Sequence, residues 1–547
     1  MIMKNIAVLL LSSIVTAVLC GTIFLKSTLF MDAYFTPKEI CGEAGVALLL
    51  LFYTLFFIAK KERRKDGVVK YIVLCIATVV AIEAIYGIID FISNYISSKQ
   101  IVSARGNFDN PAGFSALLSS VYPYFLYLQR IAKGKTRLCI NILIAIIITA
   151  VLLSASRTGI LCIVTISLFY LIYRKGISFA KITIISTPFI ALLFYVLYNI
   201  NPNSADGRLF IWARSLEIIK QKPLLGYGDN GFKAQYMKSQ ADFFEKNPDS
   251  PYTMIADNVQ FCYNEFINIA IDYGVIGLLF LLISIVFVVL CYKKNHNVMK
   301  IYAAMSCISI ALFSFFSYPS LYSCVWIITC ISVLIIVHPL LHDTISFLEK
   351  FRIRHVVTAC SILYSIYLLH NATIHMNREM EWKTAHYSYI KTKSKESVNE
   401  YRCLYDKMKT NPYFLYNYAS VLYNEREYDT SSIIAEQSSR LWKNYNTEIL
   451  SGAIEEQRKD NNKALMHYTR ASNMCPAKFA PLVHIQQIYS RLGDTIPAIE
   501  YASKIIKKQE KIKSPRTRQI KELMQFELQK FSATKEQIGS LSIKMLF

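Results

Sequence analysis

Apolar stretches of roughly 17–25 residues, the length an α-helix needs to cross a hydrocarbon core, recur along the first two thirds of this chain and limit its folds to few. They fall near 5–25, 41–59, 69–92, 112–129, 138–154, 158–173, 179–199, 264–291, 300–317, 321–338 and 354–371, giving about eleven spans. With 54% hydrophobic residues over 547 positions, the chain is too apolar for a set of ordinary soluble domains. The expected class is all-α: a polytopic membrane helix bundle over 1–371, followed by a soluble α-solenoid over 372–547.

The net charge of +22 would raise nucleic acid as a partner of a soluble protein. Here the basic residues sit between spans: Lys60 to Lys65, Arg130 to Arg137, Arg174 and Lys175, Lys293 and Lys294, and Lys350 to Arg354. With the N-terminus cytoplasmic, all these short loops fall on the inner side, as the positive-inside rule requires, and no nucleic acid is invoked. Residues 93–111, the Ser154–Arg157 turn, the loop 200–262 and the tail then lie outside, which in a Gram-negative cell would be the periplasmic face of the inner membrane. The thirteen cysteines show no CxxC pair and no Cys/His cluster, so no metal or other cofactor is expected. The opening apolar segment lacks a small-x-small cleavage site and reads as an uncleaved first span.

Beyond Asn371 the pattern becomes amphipathic. Ala464, Leu465 and Tyr468 recur as Ala498, Ile499 and Tyr501 or Ala502, about 34 residues on, with a weaker copy at Ser431 to Ala435. Asn411–Pro412, Cys475–Pro476 and Leu492–Gly493–Asp494 punctuate helix pairs. About three degenerate units over 385–525 resemble a tetratricopeptide array, which offers a surface for a protein partner or braces the membrane domain. The basic stretch Lys504 to Lys521 reads as a solvated helix face.

The unusual polar residues share the outer face. In Gly106-Asn-Phe-Asp-Asn-Pro-Ala-Gly113, Asn110 can cap the helix that Pro111 opens, and such a helix start can also receive a phosphate. Arg157, in Ser154-Ala-Ser-Arg-Thr-Gly159, either snorkels or presents its donor fork to phosphate. Residues Asp206 to Arg214 form an amphipathic helix able to lie along the membrane, with Leu209, Trp212, Ala213, Leu216 and Ile219 at helical spacing. Arg208 is its ligand-facing cation, and Pro223-Leu-Leu-Gly-Tyr-Gly228 ends it. The block Asp257 to Phe266 leads into Ile-Asp-Tyr-Gly-Val-Ile-Gly277, with Asn264 and Glu265 at the outer end of a span. On the third span, Glu83 is deep enough for a structural acid, whereas Asp90 lies near the outer interface.

Over about 100–335 these blocks resemble, in order and topology, the O-antigen ligases, O-antigen polymerases and bacterial O-linked oligosaccharyltransferases. The shared elements are G-x-F-x-N-P at Gly106 to Pro111, S-R at Ser156–Arg157, and Arg208 with Trp212 followed by Pro223 to Gly228. The last is Tyr263–Asn264–Glu265 before Gly274 and Gly277; the family's histidine is replaced by Tyr263. The resemblance implies a GT-C-type, inverting, metal-independent glycosyltransferase in lipopolysaccharide or other polysaccharide biosynthesis. Its donor would be an undecaprenyl-diphosphate glycan, and its acceptor lipid A-core, another glycan or a protein. Arg157 and Arg208 would bind the diphosphate, and Glu265, Tyr263 and Asp257 would be the catalytic set. Asn110, Asn264, Trp212 and Asp90 would complete the substrate contacts. A lipid-linked glycan transporter and an inactive scaffold are the alternatives of another class.

Overall fold

The computed structural model describes residues 2–55, 66–98, 103–176, 195, 198–199, 202–294, 297–350 and 354–544. All regular structure among them is helical. The chain forms two compact units.

The first unit comprises Met1–Ile200, Tyr263–Phe266 and Leu278–Lys391. Its helices are α1 (Ile2–Phe24), α2 (Thr36–Tyr53), α3 (Asp66–Ser98), α4 (Pro111–Ile131), α5 (Gly134–Leu153) and α6 (Arg157–Lys175), then most of α9 (Glu265–Lys293), α10 (Val298–Ser314), α11 (Ser323–Lys350) and α12 (Arg354–Thr392). These coincide with the apolar stretches of the sequence, except 179–199, which lies almost wholly outside the described residues. Five are long and apolar enough to cross a membrane: Val69–Ser97, Gly134–Leu153, Arg157–Lys175, Glu265–Lys293 and His355–Thr392. Shorter apolar helices are Leu9–Phe24, Val298–Ser314 and Ser323–His338.

The core of this unit forms around α4, which packs against α3, α5, α6, α10 and α11. Phe114, Leu117, Leu118, Val121 and Tyr124 of α4 are all buried. Serines stitch the helices: Ser306 and Ser309 of α10 donate to the carbonyls of Ser120 and Ser119 at 2.6 and 3.0 Å. Such bonds satisfy hydroxyls that hydrocarbon would leave unpaired. By contrast, α9 exposes Leu279, Phe280, Leu282, Ile283, Val286 and Leu290, an apolar surface that only lipid or another protein can cover.

The second unit comprises Asn201–Cys262, Ile267–Gly277 and Thr392–Phe547. Its loop portion holds α7 (Pro202–Gln221) and α8 (Gly231–Lys246). Its tail holds α13 (Lys395–Met408), α14 (Pro412–Asn424), α15 (Tyr428–Leu441), α16 (Tyr445–Gln457), α17 (Asn461–Met474), α18 (Ala480–Leu492), α19 (Thr495–Lys507) and α20 (Pro515–Lys544). The helices pair as α14 with α15, α16 with α17 and α18 with α19. The recurring positions form their seams, for Ala464, Tyr468, Ala498 and Ala502 have no exposed surface. Asn411 caps α14 by accepting from the Tyr413 and Phe414 N–H groups, and Gly493 ends α18 at φ 77°.

One joint in this unit explains two sequence motifs together. At Gly274 the backbone turns to φ 64°, ψ −160°, a region open essentially to glycine, and breaks α9. The segment Pro223–Gly228 splices into the break. Pro223 O accepts from Val275 N at 2.8 Å, and the N–H groups of Tyr227 and Gly228 donate to the carbonyls of Ile271 and Asp272 at 2.9 and 2.8 Å. A Cβ at Gly274 would lie 2.2 Å from Leu224 O, and one at Gly226 2.5 Å from Asp272 O. Gly274→Ala should therefore cost at least about 2 kcal/mol and lower the thermal midpoint of the detergent-solubilised protein. Gly207→Ala, in a helix where nothing meets the new methyl, should leave the midpoint unchanged or raise it.

Candidate functional site

One end of the first unit is built from three short segments: 103–110 before α4, 263–265 at the start of α9, and 318–322 between α10 and α11. The first is pinned from below by Glu83, which has no exposed surface on α3. Glu83 accepts from Asn107 N and Asn107 Nδ2, both at 2.8 Å. Lys38 donates to the Asn107 carbonyl from the other side and lies 5.5 Å from the Phe108 ring centre. Gly106 stands at φ 54°, and a Cβ there would meet a Glu83 oxygen at 2.2 Å. The first glycine of the G-x-F-x-N-P block is thus demanded by a carboxylate two dozen residues upstream. Ala104 N also donates to Leu153 O at 2.9 Å, tying the segment to the turn that precedes Arg157.

Asn110 does cap α4, accepting from Ala112 N and Gly113 N at 2.8 and 3.1 Å. Its amide nitrogen has further work: Tyr318 Oη, Tyr322 Oη and Asp109 Oδ2, at 2.9, 3.0 and 3.0 Å, share its two hydrogens. Tyr322 in turn donates to Asp109 Oδ1 at 2.9 Å. The Tyr322 ring occupies the space left by Gly113, where a Cβ would be 2.3 Å from its Cζ, and it meets Phe108 edge-on.

Tyr263 has φ 56°, strained for a residue with a bulky side chain, and its ring meets Tyr318 edge-on at 5.3 Å. Asn264 is buried and starts α9 by accepting from Phe266 N at 3.0 Å. Glu265 Oε1 accepts from the backbone N–H of Ser320 at 3.0 Å and from the Ser320 hydroxyl. The Ser320 carbonyl accepts from the Trp326 indole at 2.6 Å, so the carboxylate rests on a braced 3-10 turn, Pro319–Leu321. Arg157 is the first residue of α6; Ser156 caps that helix through Gly159 N at 3.3 Å, after a left-handed Ala155. Asp90 lies half-buried on α3.

The remaining expected residues belong to the second unit. Arg208 is partly exposed near the start of α7. One turn on, the Trp212 indole donates to Cys262 O at 3.1 Å, and Cys262 is the residue before Tyr263 in the chain. Arg214 lies over the Phe243 ring at 4.5 Å, a cation–π contact within the loop portion. The helix buries Phe210, Ile211, Ser215 and Ile218, leaving Leu209 and Leu216 of the expected apolar stripe exposed.

Asp257 sits between two cations of the tail, Lys511 at 3.2 Å and Lys478 at 3.7 Å, and also accepts from Asn258 N at 2.8 Å. Burial pushes its carboxyl up, but these three groups outweigh burial and hold it below the usual aspartate value. A carboxylate so stabilised is a weak base and a good latch. The same part of the loop is held elsewhere. Gln240, with no exposed surface, donates to Met474 O at 2.6 Å and Asp257 O at 3.0 Å, and Asn258 accepts from Tyr445 N at 3.2 Å. Sequence reading missed Gln240, Asp109, Ser320 and Lys38, because each acquires its role from partners remote in the chain. Among the described residues no group of His, Cys, Asp and Glu is placed to hold a metal.

Because its folded pKa is depressed, the Asp257 latch contributes stability above the unfolded value of about 3.9 and loses it as the pH falls through the folded value. Solvent screens the pair, so Asp257→Asn should cost no more than about 1 kcal/mol at pH 7. Thermal unfolding across pH 3–7 should show that difference closing toward the acid end. Asp257→Lys combined with Lys511→Asp should recover part of it.

Residues 142–282 match the model of the O-antigen ligase family. A ComP-specific O-oligosaccharyltransferase from Acinetobacter baylyi is 22% identical over 302 residues, which cover 51% of this chain and 53% of that protein. The chain thus spans about half the length of this curated relative. The crystal structure of yeast Tom70 aligns over 90% of this chain and 96% of its own at 10% identity, with a TM-score of 0.26, too low to bear on the fold. Both similarities point to the O-antigen ligase superfamily.

Proposed function

We propose that this membrane protein, with an O-antigen ligase match over residues 142–282, transfers a preassembled glycan from an undecaprenyl-diphosphate carrier to an acceptor hydroxyl at the outer end of its helix bundle. The observation that carries the reading is Glu265: a carboxylate at the start of a membrane helix, held through one oxygen by Ser320 and braced by Trp326. Oε1 is committed to that support, leaving Oε2 to take a proton.

In the proposed step, Glu265 takes the proton of the acceptor hydroxyl as its oxygen attacks the anomeric carbon. The bond from that carbon to the phosphate oxygen breaks, inverting the centre, and undecaprenyl diphosphate leaves with the electron pair. Arg157 and Arg208 stabilise the charge developing on the diphosphate, because a guanidinium fork stays protonated and matches phosphate oxygens. No metal is invoked. Tyr263, fixed against Tyr318, replaces the family's histidine as a group that orients the hydroxyl. Asn110 and Asn264 hold the segments that carry these groups, and Trp212 holds Arg208's helix to Cys262. Asp90 is reserved for polar contacts at the outer interface. Asp257 serves as a latch in this reading.

The leading reading is ligase-type transfer, with lipid A-core as acceptor; transfer to another glycan, as by a polymerase, is an alternative. The curated relative's designation as an O-oligosaccharyltransferase favours a protein acceptor as the second. The test is transfer by purified protein from an undecaprenyl-diphosphate glycan, offered in parallel lipid A-core, a second donor molecule and a periplasmic protein extract. Product should form on one acceptor. Arg157→Ala and Arg208→Ala should each reduce transfer at least a hundredfold and weaken donor binding, with the Lys variants recovering only part. Full activity in both Ala variants would exclude the arginines as the diphosphate site.

A further inference from the structure

Asp109 is a carboxylate that the helix cap does not need. Asn110 already satisfies the first N–H groups of α4, and Asp109 bonds to none of them. It is exposed, yet both its oxygens are fixed: Oδ1 accepts from Tyr322 Oη and Oδ2 from Asn110 Nδ2. The donors are themselves immobile. Tyr322 is 8% exposed, wedged against Gly113 and Phe108, and Asn110 is locked by its cap and by Tyr318. An exposed carboxylate normally swings freely in water; here a buried frame aims it outward.

We propose that Asp109 is the polar anchor of a sugar-binding subsite, with the rings of Tyr318 and Tyr263 as its apolar wall. Each carboxylate oxygen has about two acceptor positions, and one on each is taken, so the outward pair suits two adjacent hydroxyls of a pyranose. The edge-to-face pair Tyr263–Tyr318, joined to Asp109 through Asn110, offers the carbon face of a sugar ring an apolar surface. A diphosphate is a poor occupant because the carboxylate repels it, and the lone acid here has no companion ligands for a cation. The ligand is therefore the glycan of the donor or acceptor, not the carrier's charged head. This inference rests on the proposed glycan transfer for its biological ligand.

Calorimetric titration of the full-length protein in nanodiscs tests it, with two probes: the host cell's repeat-unit oligosaccharide released from its carrier, and bare undecaprenyl diphosphate. Asp109→Asn should weaken oligosaccharide binding about tenfold or more, since it removes a charged acceptor. Tyr322→Phe, which keeps the ring and deletes one fixing hydroxyl, should weaken it several-fold. Both variants should bind the bare carrier within about twofold of the wild type. Oligosaccharide affinity unchanged in Asp109→Asn, no binding of it by the wild type, or a parallel loss for the bare carrier would each overturn the subsite. Loss of glycan binding in Asp109→Asn, in a wild-type protein that transfers nothing, would refute the transferase reading while leaving the subsite standing. In a transfer-competent protein, a raised KM for donor alone or for acceptor alone assigns the sugar to that substrate.

Discussion

The polar end of the helix bundle depends on one buried carboxylate. Glu83 has no access to water, and an acid in such a place costs several kcal/mol unless its oxygens are bonded. Asn107 supplies both bonds, one from its backbone and one from its side chain, and Lys38 holds the Asn107 carbonyl. That arrangement requires Gly106 to approach Glu83 without a Cβ, and it fixes the path of the chain into Asn110 and Pro111. From there the geometry propagates without slack: Asn110 reaches Tyr318 and Tyr322, Tyr322 reaches Asp109, and Tyr318 meets Tyr263. A polar network of this kind works only when each member is satisfied.

The tail presents a different kind of constraint. A helical-repeat surface was expected to take a protein partner or to brace the membrane domain, and in the second unit α8 of the chain's own loop packs against α15 and α17. Gln240, buried and bonded to Met474 and to the Asp257 backbone, is the polar core of that contact, and Lys443 N donates to Lys233 O at 3.1 Å. Asp257 with Lys478 and Lys511 closes it. The repeats therefore hold the loop that carries Arg208 and leads into Tyr263. Within the basic stretch from Lys504 to Lys521, Lys508 donates to Pro476 O and Lys521 to Lys508 O, while Lys504, Lys507, Lys511, Lys513, Arg516 and Arg518 are exposed.

What was legible in the sequence follows from how local its cause is. Apolar length predicts the membrane helices because burial in lipid acts on each stretch separately, and the spacing of Ala464, Tyr468, Ala498 and Ala502 predicts the repeat seams because each seam lies between neighbours in the chain. Asn110 as a cap was legible for the same reason. The joint at Gly274 was not, since nothing near it announces that Pro223–Gly228 will enter the break. Ser320 beneath Glu265 lies 55 positions away, and Tyr322 behind Asp109 lies 213 away, so no local pattern announces either pair. At Asp257 the local and the folded surroundings differ. Proximity in sequence to Tyr263 marked it as a catalytic acid, while its folded partners are lysines of the tail.

The central claim is that Glu265, set on Ser320, removes the proton of the acceptor hydroxyl while the arginines hold the leaving diphosphate. The most direct measurement is the initial rate of undecaprenyl diphosphate release from bound donor on adding acceptor, for the wild type and Glu265→Gln, with donor affinity determined in parallel. The account predicts equal donor affinity and a rate at least about a hundredfold lower in the variant. Equal rates at equal affinity would contradict it and remove Glu265 from the chemistry.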